Sequence, residues 1–218
     1  MACIKLWRNI AAAGMSLFLL AINCYAQDQP QDHSCTVNAA GEFVNPFGKD
    51  GNNFNSGWGI QAGGGFAVLS PAEPGRGRSL YITANYIYER LNATSMALSA
   101  ANVTSANSAH VGFSAVTLDP TVRFPVNLQV GLYLSGGFGW LRRGVGFNGP
   151  NPATLTQSSS PTLEKLAANS GVFDLGGGIN FGLSHRGGLM SYAEVRVYRG
   201  VAINSGTTLL PLSVGIRW

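Results

Sequence analysis

Thr207-Thr-Leu-Leu-Pro-Leu-Ser-Val-Gly-Ile-Arg-Trp218 decides how the rest of the chain is read. Counting back from Trp218, every second residue is apolar: Ile216, Val214, Leu212 and Leu210. Between them stand Arg217, Gly215, Ser213 and Pro211. Side chains alternate faces along a strand, so one face of this segment is greasy and the other carries a charge, a glycine and a hydroxyl. That pattern suits the closing strand of a barrel in a membrane better than the end of a soluble domain, which tends to fray.

Composition points the same way. Charged residues make up 11% of the chain, less than half of the roughly 25% usual in soluble domains. Yet beyond residue 26 no segment has the ~18 consecutive apolar residues of a membrane helix. Low charge without helical spans leaves the other structure that can satisfy its backbone in lipid, the closed β-barrel.

Residues 1–26 read as a secretory signal. Lys5 and Arg8 give a basic start, Ile10 to Ile22 an apolar run, and Cys24-Tyr25-Ala26 a peptidase site with cleavage expected before Gln27. The run is shorter than the ~20 residues a spanning helix needs. Removing the signal leaves 12 basic residues against 10 acidic, a net of +2. No basic cluster suggests a nucleic-acid partner. Cys3 and Cys24 leave with the signal, so Cys35 is expected to have no internal disulfide partner and to support no metal site. Residues 27–36 read as a disordered leader and 37–218 as the barrel.

Strand signals recur along that barrel. The first, about 37–45, alternates incompletely (Val37, Ala39, Phe43). The second runs from Trp58 to Leu69, with Trp58, Ile60, Ala62, Gly64, Phe66 and Val68 on one face. The third, Leu80 to Arg90, turns Ile82, Tyr86 and Tyr88 outward and Tyr81, Thr83, Asn85 and Glu89 inward. Val111 to Phe124 follows, with Thr117, Asp119, Thr121 and Arg123 inward. Strand five alternates most cleanly, from Val126 through Leu134 and Phe138 to Trp140, against Tyr133, Ser135 and Arg143. Strand six opposes Phe173, Leu175, Ile179 and Phe181 to Asp174, Gly176, Gly178 and Asn180. Strand seven opposes Ala193, Val195 and Val197 to Tyr192, Glu194, Arg196 and Tyr198. The final strand makes eight, an antiparallel up-and-down transmembrane barrel.

Connection lengths support that count. The turns at 71–79, around Pro125 and at 184–188 are short, whereas 91–110 and 144–170 are long. Short periplasmic turns and long extracellular loops are the asymmetry of outer-membrane barrels.

An eight-stranded interior is just wide enough for side chains to fill. The inward set holds four acids, Glu89, Asp119, Asp174 and Glu194, and four arginines, Arg123, Arg143, Arg196 and Arg217. Buried charges must be paired, so the set reads as a hydrogen-bonded plug. The alternative is a small porin whose charge pairs gate a polar lumen. Three further arginines, Arg90, Arg142 and Arg199, fall on the lipid-facing phase at the outer ends of their strands. Guanidinium groups pair well with phosphate, so these three are candidates for contact with lipopolysaccharide; simple snorkelling is the competing reading. Trp58, Trp140 and Trp218 belong to interfacial aromatic girdles.

Other motifs carry less. Gly63-Gly-Gly65, Gly136-Gly-Phe-Gly139 and Gly176-Gly-Gly178 precede no helix, as a nucleotide-binding reading requires, and glycine within strands permits curvature or close approach. No cofactor is implied. His33, His110 and His185 do not assemble a triad: only His110 falls at an outer rim, with Ser108 and Ser114 near it, and no enzyme activity is expected. A secreted β-sandwich would also show short alternating strands, but with more charge.

The glycine triplets, Gly136-Gly-Phe-Gly-Trp-Leu-Arg-Arg143, Ala193-Glu-Val-Arg196 and the closing segment together resemble small outer-membrane β-barrel proteins of the OmpA/OmpX-like superfamily, over about Phe43 to Trp218. The resemblance implies an outer-membrane location and a monomer in lipid and lipopolysaccharide. It also implies that Leu210, Leu212, Val214, Ile216 and Trp218 serve as the signal read by the barrel-assembly machinery. Most members end in Phe, where this chain has Trp218. Activity is poorly specified, since the superfamily includes adhesins, structural proteins, lipid binders and small porins.

Overall fold

In the computed structural model the described residues are 35–70, 77–100, 108–127, 129–148, 168–183, 188–201 and 207–218. The signal segment and most of the leader lie outside them, as do His33, His185 and the central parts of the loops at 101–107 and 149–167.

Eight strands form one closed antiparallel barrel in chain order. They are β1 (Cys35–Pro46), β2 (Gly57–Leu69), β3 (Ser79–Asn92), β4 (Ser108–Pro125), β5 (Val130–Asn148), β6 (Ala168–Gly182), β7 (Met190–Val201) and β8 (Thr207–Arg217). The closing seam pairs β1 with β8, from Asn38↔Arg217 to Pro46↔Leu209. Beyond its end, Val37 and Trp218 exchange two backbone hydrogen bonds of 2.8 Å. Closure leaves no free edge, which is why a strand with weak alternation forms at all: β1 completes the ladders of both β2 and β8.

Alternation sets the two faces. Outward stand Phe43, Trp58, Phe66, Phe138, Trp140, Leu175, Val195 and Val214, all exposed; inward stand Thr36, Gln61, Asn85, Asp119, Ser135, Asp174, Arg196 and Ser213, all buried. An exposed apolar band around a buried polar interior is inside-out for water and suited to lipid.

Several boundaries differ from expectation. β1 begins at Cys35, so Cys35 and Thr36 belong to the barrel and not to the leader; Thr36 alternates inward with Asn38 and is buried. Cys35 is disulfide-bonded, against the expectation of no internal partner, which counted only the cysteines after residue 26. β5 starts at Val130, not Val126: Asn127 Oδ1 accepts from the backbone N–H groups of Gln129 (2.8 Å) and Val130 (2.7 Å), an Asx turn. The strands also climb further than their polar patterns suggest, to Asn92 in β3 and Asn148 in β5.

At the rim carrying the 46–57, 92–108, 148–168 and 201–207 connections, here the loop rim, the β1–β2 connection folds back. After a 3-10 turn (Gly48–Asn52), Asn55 N–H donates to Asn92 O (2.8 Å) and Thr94 N–H to Asn53 O (2.9 Å). Thr94 Oγ1 donates to Asn52 O (2.8 Å) and accepts from Ala97 N–H (3.2 Å), capping the short helix α1 (Ser95–Ala100). These bonds fix Phe54, which is buried against Phe113 edge-to-face with ring centroids 6.1 Å apart.

Two ladders skip a step at proline, which has no N–H to give. β4–β5 pairing passes from Leu118↔Phe138 to Thr121↔Ser135 around Pro120, and β7–β8 pairing from Val195↔Leu212 to Tyr198↔Leu209 around Pro211. Asp119 and Arg196 stand at these two interruptions and meet across the lumen, Arg196 Nη1 to Asp119 Oδ2 at 2.7 Å.

Candidate functional site: the lumen and the loop rim

Three layers fill the lumen. Nearest the turn rim, arginines lie on tyrosines. The Arg217 guanidinium carbon is 4.5 Å from the Tyr133 ring centroid and 4.6 Å from that of Tyr192, and Nη1 donates to Asn180 Oδ1 (3.0 Å). Arg123 stands 3.9 Å over the Tyr81 ring and donates to Thr36 Oγ1 (3.1 Å). A guanidinium on an aromatic face gains about 0.5–2 kcal/mol, most when desolvated. Tyr133 reaches across β6 to donate to Glu194 Oε2 (2.7 Å). Gly178 permits this: a Cβ there would lie 2.7 Å from the Tyr133 Cζ.

The middle layer is organised on Arg196, itself only 3% exposed. Its Nη1 donates to Asp119 Oδ2 (2.7 Å) and Asp174 Oδ1 (3.1 Å), its Nε to Glu194 Oε1, and its Nη2 to Ser135 Oγ (3.2 Å). Asp119 Oδ2 also accepts from Asn85 Nδ2 (2.7 Å) and Thr117 Oγ1 (3.0 Å). Charge-assisted bonds of this kind are the strong ones, and here they tie β3, β4, β5, β6 and β7 together across the lumen.

The third layer, toward the loop rim, is apolar. Val44, Phe54, Ile87, Leu91, Val111, Phe113, Ala115, Leu141, Val172, Tyr198 and Leu209 form one buried cluster. Above it Arg143 Nη1 donates to Thr207 Oγ1 (2.8 Å).

All eight residues expected in the lumen charge set point inward, but they do not form one balanced network. Asp119, Asp174, Glu194 and Arg196 come together; Arg217 and Arg123 are held mainly by aromatic rings and neutral side chains; Arg143 is at the other end. Glu89 joins none of them. A fifth buried acid, Glu42, accepts from Ser213 Oγ (3.0 Å). The sequence reading missed Glu42 because the alternation of β1 was traced from its apolar positions only, and one step off Phe43 would have found it. The apolar layer was missed because the phase was assigned from polar residues inside.

On the outside, Arg142 and Arg199 are exposed and Arg90 half-buried, all on the outward phase. In register, Arg90 pairs with Trp58 and Gly112, Arg142 with Ser114 and Asn169, and Arg199 with Phe173 and Thr208. Trp58 and Tyr88 pack edge-to-face at 6.1 Å beside Arg90. Trp58, Trp140, Leu212, Val214, Ile216 and Trp218 are exposed and Leu210 half-exposed. His110 is also outward, and its Nδ1 has no hydrogen-bond partner among the described residues, Ser108 and Ser114 included. No group of three or more His, Cys, Asp or Glu side chains among them forms a metal site.

This architecture defines a class: the fold is that of the small eight-stranded up-and-down β-barrels of bacterial outer membranes. Among solved structures the chain is similar to Neisserial surface protein A, with 13% identity and a TM-score of 0.54 over 84% of this chain and 96% of that one. It is similar also to the outer membrane protein OprG from Pseudomonas aeruginosa, with 8% identity and a TM-score of 0.50 over 84% and 93% of the two chains. At these identities the likeness is one of fold. No protein-family profile and no curated protein sequence matches the chain.

Proposed function

We propose that this protein is a monomeric integral outer-membrane barrel with a closed lumen, exported through a cleaved signal peptide, and that its role is structural or surface-binding and not catalytic. The observation that carries this reading is the apolar layer beneath the loop rim, sealed by Phe54, above a middle layer laced to Arg196. An ion entering from the loop side would have to shed its water to pass the hydrocarbon side chains of that layer, and desolvating a charge that way costs several kcal/mol. The alternative, a gated small porin, needs both layers to part. Planar-bilayer recording tests the choice: the closed reading expects a silent bilayer, and steady channels from the wild-type protein favour the porin.

The outer rim supports the binding role. Arg90, Arg142 and Arg199 stand on alternate strands next to outward aromatics, the level at which charge on the lipid face is tolerated. We assign them to lipopolysaccharide phosphates. Replacing all three with Gln should weaken lipopolysaccharide binding by about tenfold or more, equivalent to 1.4 kcal/mol, while the variant still migrates as a folded barrel. Unchanged affinity would reduce the three arginines to snorkelling. In biogenesis, the alternating face Leu210, Leu212, Val214, Ile216 and Trp218 is the element assigned to recognition by the barrel-assembly machinery.

A further inference from the structure

Glu42 and Glu89 flank Gly59 at one level of the lumen, in the register Glu42↔Gly59↔Glu89 across β1, β2 and β3. A Cβ on Gly59 would lie 2.9 Å from Glu42 Oε2 and 3.0 Å from the Cγ of Glu89, so the two acidic side chains converge over the space that glycine leaves. Both are buried, Glu89 to 2% exposure. Among the described residues neither forms an ion pair, and Glu89 makes no hydrogen bond. On its other side Glu89 pairs in register with Phe113 of the apolar layer, which offers it nothing.

Among the described residues, two more buried oxygens around this pair have no hydrogen-bond partner. Gln61 is two residues along β2 on the same inward face, and its Oε1 is unbonded. Tyr198 carries an unbonded hydroxyl within electrostatic reach of both Glu42 and Glu89, its ring facing Arg196 at 5.8 Å. Arg196 cannot serve the pair, because it is already committed to Asp119, Asp174 and Glu194. Arg196 thus pairs with three of the five buried carboxyl groups, Asp119, Asp174 and Glu194, while Arg123 and Arg217 rest on tyrosine rings. Orphaned buried oxygens beside such a pair of acids call for a proton shared between the two carboxyls or a cation held by them.

We propose that Glu42 and Glu89, with Gln61 and Tyr198, form an enclosed site for one hard divalent cation, and that Ca2+ is the species it takes. Two carboxylates offer four oxygens and the amide and phenol add two more, meeting the lower end of the 6–8 oxygen ligands of Ca2+. The donors are all oxygen, which disfavours the thiophilic and imidazole-seeking metals. The bound ion would pin β1 and β3 to β7 beside the closing seam.

Because the site is enclosed, Ca2+ must be supplied as the barrel closes. Protein refolded in detergent with Ca2+, then washed with EDTA, should retain one equivalent per chain by elemental analysis. Refolding at 100 times the dissociation constant should raise Tm by roughly 5–10 °C over refolding in EDTA, and Mg2+, which sheds water reluctantly, should do less. Glu89→Gln and Glu42→Gln each remove a buried charge, so both should still fold in EDTA while losing the retained Ca2+ and the Tm rise. Wild-type protein that keeps no Ca2+ and shows no Tm response would overturn the site. So would equal retention by both Gln variants, which would place the ion elsewhere on the molecule.

Discussion

Arg196 is the side chain on which the lumen depends most. Replacing it with Leu leaves Asp119, Asp174 and Glu194 buried with their shared counter-charge gone, and breaking a buried pair in this way costs about 3–5 kcal/mol. The expected outcome is a large drop in the urea midpoint in detergent. Asp119→Asn should cost much less, since Arg196 keeps two acids and Asn can still bond Thr117 and Asn85. Equal midpoints for R196L and wild type would mean that the middle layer contributes little. Gly178 offers a subtler test. Its substitution by Ala forces the Tyr133 ring off its path to Glu194, and overpacking of this kind costs about 1–3 kcal/mol. Removing only the hydroxyl in G178A/Y133F, and the whole ring in G178A/Y133A, separates the lost hydrogen bond from the steric clash.

Among elements, β8 and the fold-back segment at 52–55 carry distinct predictions. β8 closes the ladder on both sides, so deleting Leu210 to Trp218 should abolish the heat-modifiable band on unboiled gels and the membrane-inserted fraction. Insertion at wild-type levels after that deletion would contradict the closure described here. Phe54→Ala removes the stopper of the apolar layer and should cost about 3–5 kcal/mol by chemical denaturation, the usual penalty for emptying a buried aromatic site. The two elements also mark what could be seen in the sequence. β5 and β8 were legible because an apolar residue meets lipid at every other position while Gly, Ser or a charge faces the lumen between. Near the loop rim the contrast inverts: Leu91 and Leu141 are inside while Arg90 and Arg142 are outside. Where both the lumen and the membrane edge break the simple rule, a two-residue period still exists but its polarity no longer says which face is which. That inversion hid the apolar layer, and it hid the length of β3 and β5 with it. Phe54 left no signal at all, since it is a single aromatic in a polar connection whose burial depends on backbone bonds to Asn92 and Thr94.

At the scale of the whole molecule, an exposed apolar band surrounds an interior that goes from arginine-tyrosine stacks, through the Arg196 cluster, to hydrocarbon. The exterior accounts for the low charge content read from composition, and the interior holds nine of the chain's 24 charged residues. Strand number and closure were legible because the two longest connections, 93–107 and 149–167, fall on the same rim, whereas the division of the lumen into layers rests on contacts between strands distant in sequence, such as Asp119 with Arg196. Single-channel recording of the refolded protein in planar bilayers, across positive and negative voltages, tests the closed lumen most directly. The structure described here predicts no steady conductance from the wild-type protein at any voltage. Sustained, unitary openings in wild type would contradict it.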